Sequence, residues 1–423
     1  MNWWLKAVSW NLHPACVPQS SPRCLAWGCQ AKRGHYYRAR PVTVSIMRVY
    51  TRIMRDVTSI PGFRTGRNSG MTGERHKLLK PGSWSWEGEN CTVHLVVDTV
   101  KNGIAIGGLR MSSGGTLQET VELAGAMTDK LTLFGVAAGG AKVVVGPKPG
   151  RDFAAVRGEV AEALSAHLRA GFLVGEDVGV TSDEVREIYD LAGFDPIENT
   201  IRIVGGHGVQ VQMPPAELAQ LLTRQYSGRL AGEGVLIVLR AMGLARQGQK
   251  IRVSIQGAGS VGGTIASLMA ADPAFEVIGL SDKDHLVWSP DGLDTEWITR
   301  NVDEHGSISI SELKAGASVG EPGEWMLPDA QVLVAAALGG SITHYNADAV
   351  PPGALCVVEA ANHAVSDAAA GILAQRGITV VPGALANAFT SVCFGLMATG
   401  QATMETVHEI YGERVAQLVE GLR

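Results

Sequence analysis

A glycine-rich turn between two short apolar segments constrains the fold of this chain more than any other feature. Within VSIQGAGSVGGTIASLMAA, Arg252 to Gln256 predicts a strand and Thr264 to Ala271 predicts a helix. The Gly-x-Gly-x-x-Gly spacing permits a tight turn, close approach of a pyrophosphate, and close packing of the helix on the strand. A second predicted strand, Phe275 to Leu280, leads to Asp282, at the distance where an acid binds adenosine ribose. We therefore predict a dinucleotide-binding unit whose cofactor residues are Gly257, Gly259, Ser260, Val261, Gly262 and Asp282.

The residues after the second strand bear on which dinucleotide binds. Asp282 favours NAD, because a carboxylate accepts hydrogen bonds from two free ribose hydroxyls. Lys283 follows directly and could pair with a 2′-phosphate, which leaves NADP possible.

Two lysines and an aspartate, each close to glycines, predict a site that holds an anion and moves protons. Lys130 and Lys142 lie in MTDKLTLFGVAAGGAK, and Asp177 lies in GEDVGV. Burial disfavours the charged form of a lysine, so a desolvated lysine could act as a general base near neutral pH. Taken singly, each residue fits a solvated surface position or a turn equally well. Their combination with the glycine-rich turn favours a catalytic site.

Composition excludes several classes of function. The chain has 423 residues, of which 46% are hydrophobic and 18% charged, and this is long enough for two domains. A net charge of -5 gives no indication of nucleic-acid binding, and no apolar run is long enough to span a bilayer. The cysteines and histidines lack metal-ligand spacing, so we predict no metal and a cytoplasmic protein.

The first 55 residues differ from the rest, because they contain basic residues and tryptophans but no Asp or Glu before Asp56. Three interpretations stay open: an Arg-rich presequence, a basic tail, or a translated leader before a true start at Met47 or Met54. The absence of periodicity or of a cleavage pattern favours the third.

Alternating strands and helices predict an α/β fold with an N-terminal substrate domain and a Rossmann-like domain after it. Thr116 and Glu119 have the spacing of a capping box that opens a helix. The predicted domains are a basic leader (1–55), a substrate-binding and oligomerisation domain (56–205), a hinge region (206–232), a dinucleotide-binding domain (233–390) and a C-terminal helix that packs back on the first domain (391–423).

Over roughly residues 90 to 395, the ordered motifs GGLRM, MTDK, GGAK, EDVG, QGAGSVG, VEAAN and LANA resemble the glutamate/leucine/phenylalanine/valine dehydrogenase family. The resemblance implies a cleft between two domains, a closed homo-oligomer, and NAD(P)-dependent oxidative deamination of an L-amino acid to a 2-oxo acid and ammonia. It implies that Lys130 holds the substrate carboxylate, Lys142 is the low-pKa lysine that activates water, and Asp177 shuttles protons. It also implies that Gly108 is a substrate-binding residue and that Asn362 is a cofactor-binding residue, which matches an asparagine lining the cofactor and substrate cleft.

The chain also departs from the family pattern. Ala231 stands where the family has a threonine that contacts the nicotinamide amide, and Ser260 replaces an asparagine of the glycine-rich turn. Phe389 and Thr390 replace a glycine pair that follows Asn387. These changes keep a second interpretation open, a regulatory paralogue that binds nucleotide or amino acid without turnover.

Two positions bear on the substrate. Glutamate-specific members carry a lysine where Ile106 stands and a serine where Phe394 stands. Burial of a second substrate carboxylate against these side chains would leave a charge unpaired. We therefore expect an apolar, branched-chain or aromatic substrate, with glutamate as the alternative because DGLD after Asp282 resembles the glutamate enzymes.

Overall fold

The computed structural model describes residues 78–221, 223–244, 249–303, 305–313, 315–327 and 329–420. Within them the chain forms an α/β fold with two sheets, as predicted. The basic leader, with the three interpretations that concern it, lies outside the described residues. The strands are β1 Gly82–Glu87, β2 Cys91–Val97, β3 Ala105–Met111, β4 Gly139–Pro147, β5 Phe172–Glu176, β6 Ile251–Gln256, β7 Phe275–Ser281, β8 Leu286–Trp288, β9 Ser318–Gly320, β10 Val332–Ala335, β11 Cys356–Glu359 and β12 Thr379–Val381.

The first sheet has the strand order β1-β2-β4-β3-β5. The edge strand β1 and its neighbour β2 are antiparallel to the strands beside them, whereas β3 pairs in parallel with both β4 and β5. Consequently the residues that end β3 and β5 lie at one edge of the sheet, where Gly108 pairs with Gly175.

The second sheet has the order β12-β11-β10-β6-β7-β8-β9, in which β12 to β7 are parallel. The strands β8 and β9 extend it with antiparallel pairs. The order reverses between β6 and β10, and a parallel sheet binds ligands in the crevice at such a switch point. The glycine-rich turn follows β6, so it lies at this crevice.

The helices are α1 Leu117–Leu133, α2 Phe153–Ala170, α3 Ser182–Ala192, α4 Pro196–Gly206, α5 Pro215–Gln220, α6 Arg224–Ala241, α7 Ser260–Ala271, α8 Thr295–Asn301, α9 Asp367–Gln375, α10 Gly383–Ala386, α11 Phe389–Ala398 and α12 Val407–Glu420. Only one of the two hydrogen bonds of the predicted capping box forms at the start of α1. The Thr116 hydroxyl accepts the Glu119 N–H, but the Glu119 carboxylate bonds Arg110 instead of turning back to the cap.

The C-terminal segment is two helices rather than the single helix predicted, because α11 ends at Ala398 and α12 begins only at Val407. Both helices contact the end of α1 or the segment after it. A Cβ added at Gly395 of α11 would lie 2.6 Å from Val136 Cγ1. The Phe134 and Tyr411 rings stack with centroids 4.6 Å apart, and Arg414 Nε donates to the Leu133 carbonyl at 2.8 Å. One hydrophobic core therefore runs from α1 through α11 and α12 to the second sheet.

No helix in the described ranges has the length and apolar character needed to cross a membrane. The same residues contain no group of three or more His, Cys, Asp or Glu side chains arranged to hold a metal ion.

Candidate active site

Glycines bring the two lysines and the aspartate together. A Cβ atom added at Gly108 of β3 would lie 2.9 Å from Lys142 Nζ and 3.0 Å from Asp177 Cβ. At Gly140, an added Cβ would lie 2.3 Å from the backbone nitrogen of Thr128. The missing side chain at Gly140 therefore lets α1 approach β4, which carries Lys130 toward Lys142. Gly108 leaves the space in which the Lys142 and Asp177 side chains meet.

Asp177 is the centre of a buried charge cluster. Its Oδ2 atom lies 2.8 Å from Lys142 Nζ and 2.8 Å from Arg110 Nε. The Arg110 guanidinium also bonds Glu119 at 3.2 Å, which aims its Nε at Asp177. Burial would raise the pKa of Asp177, but the Lys142 and Arg110 cations outweigh it and lower this pKa to about 2. Asp177 is therefore ionised and held against a lysine and an arginine.

Lys130 has different partners from Lys142. Its ammonium donates to Asn362 Oδ1 at 3.1 Å and to Asn387 Oδ1, and both asparagines belong to the second sheet's side of the cleft. Burial and the neighbouring Lys142 cation together lower the pKa of Lys130 to about 8, although the Asp177 and Glu359 carboxylates act in the opposite direction. Neutral amide oxygens satisfy its N–H groups without neutralising its charge, so Lys130 can still attract a carboxylate.

The glycine-rich turn has the geometry that the pattern predicts. Gly257 has φ +91°, and a Cβ at Gly262 would lie 1.9 Å from the Gly257 carbonyl, so α7 packs directly on the turn. A Cβ at Gly259 would meet no protein atom within 4 Å, and Gly259, Ser260 and Val261 line the cleft at the start of α7. Backbone N–H groups at a helix start suit a pyrophosphate. These residues therefore fit a dinucleotide.

The environment of Asp282 differs from the one that its sequence position predicts. Its side chain is 3% exposed, and its oxygens accept N–H bonds from Ile308 at 2.6 Å, from Asp284 at 2.8 Å and from His285 at 2.6 Å. Burial would raise the pKa of Asp282, but these N–H bonds lower it overall. The carboxylate thus ties the loop before β8 to the segment that follows α8, whereas Lys283 beside it is largely exposed.

A cleft of about 1550 Å³ connects the two sheets. Its apolar part includes Ile106 and Phe394, each 6% exposed, together with Met127. Of the residues predicted for the site, Gly257, Gly262 and Asp282 lie outside the lining. The predicted residues that do line it are Ile106, Gly108, Lys130, Lys142, Asp177, Gly259, Ser260, Val261, Asn362 and Phe394.

The departures from the family pattern occupy different places. Phe389 is fully buried between the rings of Tyr411 and His408, with centroids 4.3 Å and 4.9 Å away, and therefore points away from the cleft. Thr390 and Ala231 both line the cleft.

Sequence reasoning missed three residues of the site, although each lies in a motif that it used. Arg110 follows GGL, Asn387 lies in LANA, and Glu359 begins EAAN. A charged or amide side chain beside a glycine motif is the signal that could have identified them.

The glycine-rich turn at the switch point of the second sheet is typical of dinucleotide-binding proteins, and comparisons with known proteins identify the family. The profile of the Glutamate/Leucine/Phenylalanine/Valine dehydrogenase family matches residues 226–413. Glutamate dehydrogenase of Thermotoga maritima is 31% identical over 310 residues, which cover 70% of this chain and 70% of that protein. NADP-specific glutamate dehydrogenase A1 of Halobacterium salinarum is 31% identical over 294 residues, covering 67% of this chain and 66% of that protein.

Among solved structures, the Leu-bound form of hetero-hexameric glutamate dehydrogenase from Thermus thermophilus has a TM-score of 0.61. It is 23% identical and covers 92% of this chain and 91% of that chain, so the likeness supports the fold alone. The chain belongs to the glutamate/leucine/phenylalanine/valine dehydrogenase family, which confirms the resemblance drawn from its motifs.

Proposed function

We propose that this protein catalyses NAD(P)-dependent oxidative deamination of an apolar L-amino acid to its 2-oxo acid and ammonia. The substrate class follows from the apolar surface that Ile106 and Phe394 form beside the charged cluster. Both side chains are 6% exposed and line the cleft that also contains Lys130, Lys142 and Asp177. An aliphatic or aromatic side chain would pack there without leaving a polar group unpaired.

The three charged residues have separate roles in this proposal. Lys130 binds the α-carboxylate through a charge-assisted hydrogen bond. Asp177, ionised beside the cleft, takes a proton from the substrate amino group, so that the nitrogen can share its electron pair with Cα. A dinucleotide held at Gly259, Ser260 and Val261 would supply the acceptor for the hydride of Cα, and loss of that hydride would leave an imino acid.

Hydrolysis of the imino acid requires water and a base. Lys142, after its own proton has passed to solvent, takes a proton from the attacking water, whose oxygen bonds to Cα. Asp177, 2.8 Å from Lys142 Nζ, returns its proton to the nitrogen. The C–N bond then breaks as the hydroxyl on Cα gives up its proton, so the oxygen becomes the carbonyl and ammonia leaves. The net reaction consumes the amino acid, water and oxidised dinucleotide and yields the 2-oxo acid, ammonium, reduced dinucleotide and one proton.

The same apolar surface disfavours glutamate, the alternative substrate that the names of the relatives support. A second carboxylate against Ile106 and Phe394 would lose its hydration without an ionic partner, at a cost of several kcal/mol.

Reduction of NAD⁺ and NADP⁺ across a panel of L-amino acids tests the proposal. We expect turnover of leucine, valine or phenylalanine, and loss of turnover in Lys142→Ala. A double variant with Ile106→Lys and Phe394→Ser should move the substrate preference toward glutamate, because it supplies a cation and a hydroxyl at the apolar surface. Glutamate as the best substrate of the unaltered chain would contradict the substrate class while leaving the mechanism intact.

A regulatory paralogue is the second candidate, because Ala231 places no hydrogen-bonding side chain in its part of the cleft. Dinucleotide binding without turnover of any amino acid would support it. For the unaltered enzyme we propose NAD as the preferred cofactor, with NADP accepted, and a homo-oligomeric assembly whose size sedimentation would measure.

A further inference from the structure

Glu359 is a buried carboxylate that takes no part in the reaction proposed above. It ends β11, is 9% exposed, and uses its two oxygens separately. Oε1 accepts the Val365 N–H at 2.8 Å, and Oε2 accepts the Gly383 N–H at 3.0 Å. One side chain therefore connects two segments that are distant in sequence.

Each of these segments carries an asparagine that contacts Lys130. Asn362 lies in the loop that the bond to Val365 closes. Asn387 follows α10, whose first residue is Gly383, and the Asn387 N–H donates to the Gly383 carbonyl at 3.1 Å. The two amides are also joined directly, since Asn387 Nδ2 lies 3.2 Å from both Asn362 Oδ1 and the Ala360 carbonyl. Their oxygens converge on one ammonium.

The loop that contains Asn362 is held in a costly conformation. His363 has φ +52°, a left-handed conformation that residues with a side chain rarely adopt. Such strain persists only where surrounding contacts over-determine the backbone. Here the Gly340 N–H bonds the His363 carbonyl at 2.8 Å, and the Glu359 carboxylate holds the next turn of the loop.

A carboxylate suits this position better than an amide. Both N–H groups need an acceptor, and an ionised carboxylate offers one on each oxygen, whereas glutamine offers an acceptor and a donor. Burial raises the pKa of Glu359, and the N–H bonds from Val365 and Gly383, with His363 and Lys130, partly offset that cost. Burial of a charge is expensive, so its presence here implies that the geometry it enforces matters.

We propose that Glu359 is a positioning residue, which ties the Asn362 segment to the Asn387 segment and so sets the pair of amide oxygens that holds Lys130. The inference rests on the proposed function, because it assumes that Lys130 receives the substrate carboxylate. It assigns Glu359 no contact with substrate or cofactor. Its effect passes through the two asparagines.

A double-mutant cycle of Glu359→Gln and Asn387→Ala in the full chain tests this assignment. Two readouts are used: kcat/KM for the best amino acid of the panel, and the rate at which trinitrobenzenesulfonate labels Lys130, mapped by peptide mass spectrometry. The matched control is Glu159→Gln, since Glu159 also accepts backbone N–H bonds, from Asn90, on the far side of the first sheet.

We expect Glu359→Gln to lower kcat/KM about tenfold, mainly through the KM of the amino acid, and to raise Lys130 labelling severalfold. In a chain that already carries Asn387→Ala, Glu359→Gln should change kcat/KM and the labelling rate by less than about twofold, because coupled residues act as a unit. Glu159→Gln should change neither readout.

The assignment would be overturned if the separate effects of the two substitutions on kcat/KM and on labelling multiplied in the double variant. It would also be overturned if Glu359→Gln lowered the melting temperature but left KM and labelling unchanged. If no amino acid is turned over by the unaltered chain, the proposed function fails. The labelling cycle then still decides the role of Glu359, because it does not require activity.

Discussion

The two walls of the cleft are built from different kinds of contact. The wall on the first sheet contains ion pairs: Asp177 lies between Lys142 and Arg110, all three on or beside regular strands. The wall on the second sheet presents the amides of Asn362 and Asn387, which hydrogen bonds to backbone groups and to each other hold in place. Lys130 belongs to the first wall by sequence but bonds to the second.

This difference separates chemistry from positioning. Strands hold titratable groups at fixed distances, so proton transfer can rely on contacts of 2.8 Å. Loops that buried hydrogen bonds hold in place orient neutral amide groups. The amide oxygens accept N–H bonds from Lys130 without neutralising the positive charge that binds the substrate carboxylate. Changes to the first wall should therefore alter turnover, whereas changes to the second should alter binding and stability.

Removal of the Phe389 ring is expected to have the largest effect, and on stability rather than on chemistry. Phe389→Ala empties a fully buried site beside Tyr411 and should lower the free energy of unfolding by about 3–5 kcal/mol. Urea denaturation measures this. Since the ring points away from the cleft, the KM for dinucleotide should not change in the variant at low temperature. A raised KM without lost stability would place Phe389 in the cofactor site instead.

Gly108→Ala tests the first wall. The added methyl group would lie 2.9 Å from Lys142 Nζ, so it should displace the lysine from Asp177 and reduce kcat about a hundredfold while the chain stays folded. Steady-state kinetics and circular dichroism measure the two properties. Gly175→Ala is the matched control, because its nearest neighbour is the Gly107 carbonyl at 4.0 Å. Equal losses in both variants would show that the crowding argument is wrong.

The pKa of Lys130 predicts how binding depends on pH. A lysine is cationic below its pKa, so with a pKa of about 8 the affinity for an apolar 2-oxo acid should be highest below pH 8 and fall above it. The fall should approach tenfold per pH unit in isothermal titration calorimetry. Lys130→Arg should remove the slope because a guanidinium remains charged. An identical slope in both proteins would exclude Lys130 as the titrating group.

The smallest expected effect concerns the second wall. Ala231→Thr adds a hydroxyl to the cleft, where it can bond the nicotinamide amide, and should increase dinucleotide affinity about threefold. Fluorescence titration with NADH measures the change. Ala231→Val, which has the same shape without the hydroxyl, is the control. A similar gain with valine would indicate packing rather than a hydrogen bond.

Much of this architecture could be predicted from local patterns. The segment with strand periodicity around Val253 and the glycine spacing after it predicted β6 and the start of α7 to within a few residues. The break after Ala398 was not predicted, although Gly400 is a local stop signal: it has φ +67°, and its N–H donates to the Met397 carbonyl at 3.1 Å.

Asp282 and Glu119 show where local reasoning stops. The sequence position of Asp282 indicates a ribose ligand, but its carboxylate is buried against the Ile308 N–H, 26 residues further along the chain. Glu119 has the spacing of a capping box, yet Arg110 offers it a cation. In both cases a partner from elsewhere in the fold competes with the local one, and an ionic or multiple hydrogen bond is the stronger interaction.

The sequence by itself determined the order of the elements, the glycine-rich turn and the residues able to hold an anion and move protons, because these follow from short-range spacing and side-chain chemistry. Only the tertiary structure decided which of those groups meet. The Asp177 pair with Lys142, the contact of Lys130 with Asn362 and Asn387, and the burial of Phe389 join residues far apart in the chain. Their distances depend on how helices pack on sheets, and glycines such as Gly108 and Gly140 permit that packing at contacts that no local pattern encodes.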